Sequence, residues 1–258
     1  MAKQSKTSWE SSASWYDDTV GQKGHYYHEH VILPKLIELM DLKKGDQLLD
    51  LACGQGILSR VIPKQIKYTG VDIAKSLIEA AKKRCTNPLH SFLAQDATKP
   101  IPMPKNEFTH ATIILALQNI EDPLSVLKNA KAHLAKSGSL FLVLNHPCFR
   151  IPRQSHWGID EKKKLQYRRM DSYLSTQKIP IQMHPGQMDP GKKQEQTWSF
   201  HHSLSDFTHM LFDAGFVIGK IEEWASDKKS TGGKARMENR ARKEFPLFMT
   251  LVCESRVC

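Results

Sequence analysis

The chain has no paired cysteines. Its five, Cys53, Cys85, Cys148, Cys253 and Cys258, are scattered, with no C-x-x-C among them. That spacing excludes a disulfide framework and a zinc-binding pair, so no metal site is predicted and a reducing compartment is the default. No apolar run approaches the roughly 20 residues that a spanning helix needs. The opening MAKQSKTSWESS has no apolar core to act as a secretory leader. A soluble, cytoplasmic protein without a membrane partner is expected. There is no internal repeat, which excludes solenoids and propellers. Acids are scarce beside bases, 27 Asp and Glu against 37 Lys and Arg, so an anionic partner has to be considered. The excess is local, however. Residues 148–198 hold ten Lys/Arg against five Asp/Glu, and residues 225–244 hold seven against three. The rest of the chain is nearly neutral.

What is present is an alternation of helix and strand signals from Asp17 to about Pro147, as in a series of βαβ units. HVILPKLIELM (30–40) has apolar residues at helical spacing, with Pro34 marking a first turn or a bend. QLLDLAC, YTGVDIA, SFLAQDA, FTHATIILALQNI and SLFLVLNHP then read as five strands, as continuously apolar as strands covered on both faces. ILSRVIP predicts a short helix closed by Pro63, and KSLIEAAKKRC a longer one. DPLSVLKNAKAHLAKSG predicts a helix with Pro123 near its start and Gly138 just past its end. The rhythm breaks over 148–198, too long for an ordinary connection, which predicts an insertion. SLSDFTHMLFDAGF restores a helix, capped by Ser203 or Ser205 and stopped by Gly215, with Leu204, Phe207, Met210 and Leu211 facing the core. VIGKIEEW and FPLFMTLVCES supply two last strands around a polar linker, 225–244. The expected fold is α/β: a doubly wound, Rossmann-like, mostly parallel seven-stranded sheet. A helical lid (1–44) precedes the main domain (45–258), and the insertion 148–198 follows the fifth strand.

The most informative stretch is QLLDLACGQGILSR (47–60). Glycines directly after a strand let a ligand approach the backbone. The third glycine of a dinucleotide G-x-G-x-x-G is missing, because Gly54 and Gly56 are followed by Ile57, Leu58 and Ser59. Asp72, ending the second strand, stands where a carboxylate receives the ribose hydroxyls of an adenosine cofactor. Asp96 ends the third strand. With Asp50, these acids predict a rim that repels pyrophosphate and suits a cationic, hydroxyl-rich ligand such as S-adenosylmethionine.

The blocks LLDLACGQG, GVDIAKSLIEAAKKR and LAQDATKPIPMPKNEFTHATIILALQNIEDP resemble class I S-adenosylmethionine-dependent methyltransferases of the small-molecule type, a bacterial branch of that family. The resemblance covers roughly Tyr16 to Pro147 and the last helix and strands. It implies an enzyme with S-adenosylmethionine as cofactor. It further implies that Asp50 orders the glycine loop near the methionine amine, with Ala52, Cys53, Gly54 and Gly56 along the methionine and sulfonium. Asp72 would hold the ribose, Ile73 pack on the adenine, Asp96 and Ala97 border the adenine amine, and Leu115 floor the site. Ala52 departs from the glycine usual there. WYDDTVGQKGHYYHEHVILP resembles the lid of small-molecule members, where Tyr16, His25, Tyr26 or Tyr27 closes over the cofactor.

Methyl transfer needs alignment and exclusion of water, and a base only where the acceptor must lose a proton early. His146 is the candidate base, with a structural histidine as the plainer alternative. Gln118 or Asn119 would point toward the methyl, and Cys148 is weighed as a nucleophile. Arg153, Trp157, Arg169 and Tyr173 of the insertion are the candidate acceptor residues, with Arg168 and Trp198 nearby. Arg236, Arg240 and Arg242 can extend the same rim. RRMDSYL is read as a helical turn with Met170, Tyr173 and Leu174 inward. Three functions are carried forward. They are methylation of a small organic acceptor, methylation of tRNA or rRNA on the strength of the basic segments, and cofactor binding without turnover.

Overall fold

The computed structural model describes residues 24–182 and 196–256, together with Glu10, Ala13, Asp17 and Gly21. Seven strands form one sheet: β1 (Gln47–Leu51), β2 (Lys67–Asp72), β3 (His90–Ala94), β4 (Phe108–Ile114), β5 (Leu134–Asn145), β10 (Phe216–Trp224) and β11 (Phe248–Ser255). Their order is β10-β11-β5-β4-β1-β2-β3. Strands β1 to β5 are mutually parallel, and β11 runs antiparallel to both β5 and β10. The order reverses between β1 and β4. A doubly wound sheet opens its ligand crevice at that point, beyond the carboxyl ends of the strands.

The two faces of the sheet explain why its strands are continuously apolar. Leu49 and Leu51 of β1 pack with α3 (Pro123–His133) and α4 (Leu204–Asp213). Leu48, between them in sequence, packs on the opposite face with α1 (Leu33–Met40) and α2 (Lys75–Arg84). Successive strand side chains point to opposite faces, so a sheet covered twice needs apolar residues at every position. Helix α4 forms as its sequence demands. The Ser203 hydroxyl accepts from the Asp206 N–H, the Asp206 carboxylate accepts from the Ser203 N–H, and Phe207 and Leu211 are buried. Gly215, at φ +88°, turns the chain out of the helix.

Several elements differ from the expectation. Helix α3 ends at His133 and not at Gly138, because β5 already pairs with β4 at Leu134. A register shift follows, and a Cβ at Gly138 would lie 2.8 Å from the Phe108 carbonyl oxygen. That glycine serves a close strand approach instead of a helix stop. The segment after the glycine loop makes only a 3₁₀ turn, Leu58–Arg60. Pro34 sits within the first turn of α1, which continues a wider π turn over His28–Ile32. The linker 225–244 contains a helix, α5 (Ala235–Glu244), which buries only Met237 and Ala241, a single i, i+4 pair too sparse to read as periodicity.

The insertion forms two antiparallel hairpins, β6 (Ser155–Asp160) with β7 (Leu165–Met170), and β8 (Gln177–Gln182) with β9 (Gln196–His201). The helical turn expected at RRMDSYL is therefore a correction: Arg168 to Met170 end a strand, and Met170 and Leu174 are exposed. Strand pairing claims the backbone there, and the hairpin packs against α5. Among the described residues no helix is long and apolar enough to cross a membrane.

Candidate active site

The glycine loop is bent by backbone conformation and held by carboxylate oxygens. Ala52, Gly54 and Gly56 have φ of 57°, 56° and 70°, a region that costs residues with a side chain roughly 1–2 kcal/mol. Gly56 has a second constraint, since a Cβ there would lie 2.6 Å from the Phe92 ring. The Cys53 N–H donates to the Val71 carbonyl at 3.0 Å, and the Gly54 N–H to Asp72 Oδ2 at 2.8 Å. The Ala74 N–H donates to Asp72 Oδ1 at 2.9 Å. Asp72 thus ties the loop to the start of α2. A carboxylate offers about four lone-pair directions, so each oxygen keeps one for a ribose hydroxyl. Burial pushes its carboxyl up, opposed by the Ala74 and Gly54 N–H groups.

Asp50 has a different surrounding from the one expected. It is buried, with Oδ2 accepting from the Tyr68 hydroxyl at 2.7 Å and Oδ1 from the Thr112 hydroxyl at 2.8 Å. It ties β2 and β4 to β1 behind the loop, and the acidic rim reduces to Asp72 and Asp96. Burial pushes the Asp50 carboxyl up to about 7, and the two hydroxyls oppose the shift. Cys53 is buried too, and burial beside Asp50 and Asp72 pushes its thiol well up, so it is a small, inert loop residue. Half-buried Asp96 accepts from the Thr98 N–H and hydroxyl at Oδ1, at 2.9 and 2.7 Å. Ile73 and Ala97 follow the two acids directly, Ile73 half-buried and Ala97 buried. Two carboxylates beside a bare backbone turn suit an adenosyl ligand that carries a sulfonium and an ammonium, so the donor set fits.

The N-terminal segment is anchored to this loop. Both Arg84 guanidinium ends donate to the Asp17 carboxylate at 2.6 Å, and Nη1 also donates to Gln55 Oε1 at 2.9 Å. A bidentate fork of this kind fixes orientation as well as distance. Tyr16 lies outside the described residues.

A cleft of about 100 Å³ opens beyond the ends of β4 and β5. It is lined by His25, Tyr27, His28, Ile32, Leu115, Asn145, Arg150 and Phe248. Leu115, at φ 53°, is held in the left-handed region just past β4, a strain typical of functional turns. His25 is kept neutral by partial burial, then by Lys228 and Arg150. Burial, with a smaller push from His25, carries His28 down to about 4. Tyr26 turns aside, donating to Asp227 at 2.9 Å.

His146 is buried at the end of β5 with both ring nitrogens engaged. Cys148 donates its N–H to Nδ1 at 3.2 Å, which places the proton on Nε2, and Nε2 then donates to Glu223 at 2.7 Å. Burial holds the imidazole below its ordinary value, with Glu223 opposing. No lone pair is left facing the cleft in this arrangement. His146 instead holds the turn 146–150, in which the Phe149 and Arg150 N–H groups donate to its carbonyl. Gln118 is buried and bridges to the Asn145 backbone by two hydrogen bonds, 2.8 and 3.1 Å, and Asn119 donates to the Leu115 carbonyl. Both are bound within the turn after β4. Cys148 is a half-buried free thiol.

None of Arg153, Trp157, Arg169 or Tyr173 lines this cleft. Trp157 packs edge-on against Phe245 with Arg168 over its ring, and Arg169 pairs with Asp171 at the surface. Tyr173 accepts the Leu204 N–H at 3.0 Å. Arg153 stands at a left-handed turn, φ 61°. Arg240 and Arg242 reach the Lys164 carbonyl and the Ser230 hydroxyl. Sequence reasoning had found His25, Tyr27 and Leu115 but missed His28, Ile32, Asn145, Arg150 and Phe248. The only signal for Arg150 was its place five residues after the end of β5.

Comparison with known proteins agrees with this geometry. Residues 49–142 match the family model of a methyltransferase domain. The demethylmenaquinone methyltransferase of Staphylococcus aureus is 26% identical over 221 residues, 82% of each chain. An S-adenosylmethionine-dependent methyltransferase from Mesorhizobium loti superposes with a TM-score of 0.64 at 19% identity, over 85% of this chain and 96% of that one. One from Clostridium acetobutylicum gives 0.61 at 18%, over 96% and 99%. At such identities the two solved structures share the fold. The fold and the loop with its acids define an α/β enzyme that takes S-adenosylmethionine as cofactor. Over residues 49–142 the chain carries a methyltransferase domain, similar to that of the S-adenosylmethionine-dependent methyltransferases.

Proposed function

We propose that the chain methylates a small organic acceptor seated in the cleft between residues 25–32 and the ends of β4, β5 and β11. The observation that carries this reading is the cleft itself, which is small, walled by Tyr27, Ile32, Leu115 and Phe248, and includes Leu115, the residue expected to floor the cofactor site. When bound, S-adenosylmethionine supplies a sulfonium-activated methyl: the acceptor atom bonds to that carbon as the carbon–sulfur bond breaks, with the bonding pair leaving on sulfur. The chain's residues align the acceptor and exclude water, which supplies much of the acceleration in such a displacement. His25, neutral and at the cleft mouth, takes the proton of a hydroxyl acceptor. His146 holds the turn beneath. Strand β9 of the insertion packs against the turn after β4, and Arg150 of the same insertion lines the cleft, which supports a covering role for 148–198. The named activity of the staphylococcal relative points the same way.

The test is a screen of the purified chain with deuteriomethyl-labelled S-adenosylmethionine against small hydroxyl and amine compounds and total RNA. Label in a small product supports the reading. Label in RNA alone, with steep salt dependence, favours the second reading, to which the exposed run Lys162–Lys164 lends its charge. Cofactor binding without any labelled product favours a module without turnover.

A further inference from the structure

Arg150 is the one permanently charged side chain in the lining of the acceptor cleft. Its guanidinium carries five N–H donors. Among the described residues it makes one long hydrogen bond, from Nη1 to the Leu247 carbonyl at 3.5 Å, and it lies 5.1 Å over the centre of the Phe248 ring. No carboxylate of the described residues lies within ion-pair distance of it. Burial is the main influence lowering its pKa; the Tyr27 hydroxyl opposes it and the nearby Arg168 adds to it. Taking a cation out of water without an anion is costly, and proteins ordinarily pair it. Here the position is nonetheless enforced. Its backbone N–H is bound to the His146 carbonyl at 2.8 Å, and His146 is itself locked between Glu223 and the Cys148 N–H.

Among the described residues no carboxylate is paired with the cation there. The neighbouring walls are apolar and aromatic, the two histidines of the cleft are neutral, and Asn145 adds only an uncharged amide. Together they describe a pocket with an apolar body, a single positive end and neutral hydrogen-bonding groups beside it. We infer that the methyl acceptor carries an anionic oxygen, a carboxylate or an ionised hydroxyl, seated on the Arg150 guanidinium, with its apolar body against Tyr27 and Phe248. Arg150 is then the residue that selects acidic acceptors over neutral ones of the same shape. A guanidinium presents two parallel donors to such a group, which fixes orientation as well as charge. This inference rests on the reading of the cleft as the acceptor site.

The experiment compares matched probes on the cofactor-saturated protein: 4-hydroxybenzoate against 4-hydroxybenzamide, the same body with and without the charge. Binding is followed by ligand-observed NMR, and methyl transfer with labelled S-adenosylmethionine. The wild-type chain is expected to bind the carboxylate about ten- to a hundredfold better than the amide. In Arg150→Gln that preference disappears while cofactor affinity stays unchanged, and Arg150→Lys restores it in part. The wild-type comparison alone suffices where Arg150→Gln does not fold. Equal binding of the two probes, or a preference that survives in Arg150→Gln, overturns the inference. Anionic acceptors methylated equally well by wild type and Arg150→Gln overturn it and leave the small-acceptor reading standing. Transfer to RNA alone overturns both.

Discussion

The two halves of the cleft are assembled on opposite plans. The cofactor half is compact in sequence. Ala52 to Gly56, with Asp72, make the loop and its tether, and nearly every polar group there is already bonded to a neighbour. The acceptor half draws His25, Leu115, Arg150 and Phe248 from across the chain and leaves Arg150 with one long hydrogen bond. A ligand common to many proteins can be met by a short backbone device. Choice among acceptors is left to side chains that the strand ends bring together.

That contrast can be broken by substitutions in the cofactor half. The largest effect is expected from Gly56→Ala, which places a methyl 2.6 Å from the Phe92 ring at φ +70°. Urea unfolding should show a loss of about 2–4 kcal/mol, and unchanged stability would mean that the loop is slack. Next is Asp50. Its folded carboxyl titrates at about 7, while an unfolded one titrates near 4. Between these values the folded chain holds a proton that the unfolded chain has released, so stability falls as pH rises through that window. Asp50→Asn should remove this decline, by a few kcal/mol in the difference between the two proteins; parallel stability–pH curves would refute it.

Asp72→Ala removes the acceptor of the Gly54 and Ala74 N–H groups, and calorimetry should find cofactor affinity weakened by about 1–3 kcal/mol. Full affinity in that variant would count against the whole placement of the cofactor. In the acceptor half, His146→Gln should lower stability by about 1–2 kcal/mol and leave the shape of the pH–rate profile intact. A lost limb of that profile would return the histidine to the chemistry. The smallest effect belongs to Ala52→Gly, which relieves a left-handed residue at φ 57° but loosens the unfolded chain. A net gain of about 0.5–1 kcal/mol is expected in thermal unfolding.

The cofactor half was legible because its constraints are local. Continuous apolar runs announced the parallel strands, and an acid at the end of each of the first three marked the edge that faces the crevice. The Ser203 cap and the Gly215 stop were readable for the same reason. Legibility ended where long-range pairing decides the outcome. Gly138 reads as a helix stop, yet β4 claims the chain from Leu134 onward. RRMDSYL has plausible helical spacing, yet β6 pairs with it as a strand. Asp50 sits at a strand end like Asp72, but the Tyr68 and Thr112 hydroxyls on adjacent strands turn it inward.

By itself, then, the sequence determined the order of elements in the main sheet, the conformation of the glycine turn and the kind of ligand that turn admits, since φ preference and side-chain alternation depend on near neighbours. Only the tertiary structure decided that His146 is bound through both nitrogens, that Arg153 and Arg169 do not line the cleft, and that Arg150 does, over Phe248. Those outcomes depend on which strand ends lie side by side, and the sheet brings that about by joining segments from opposite ends of the chain.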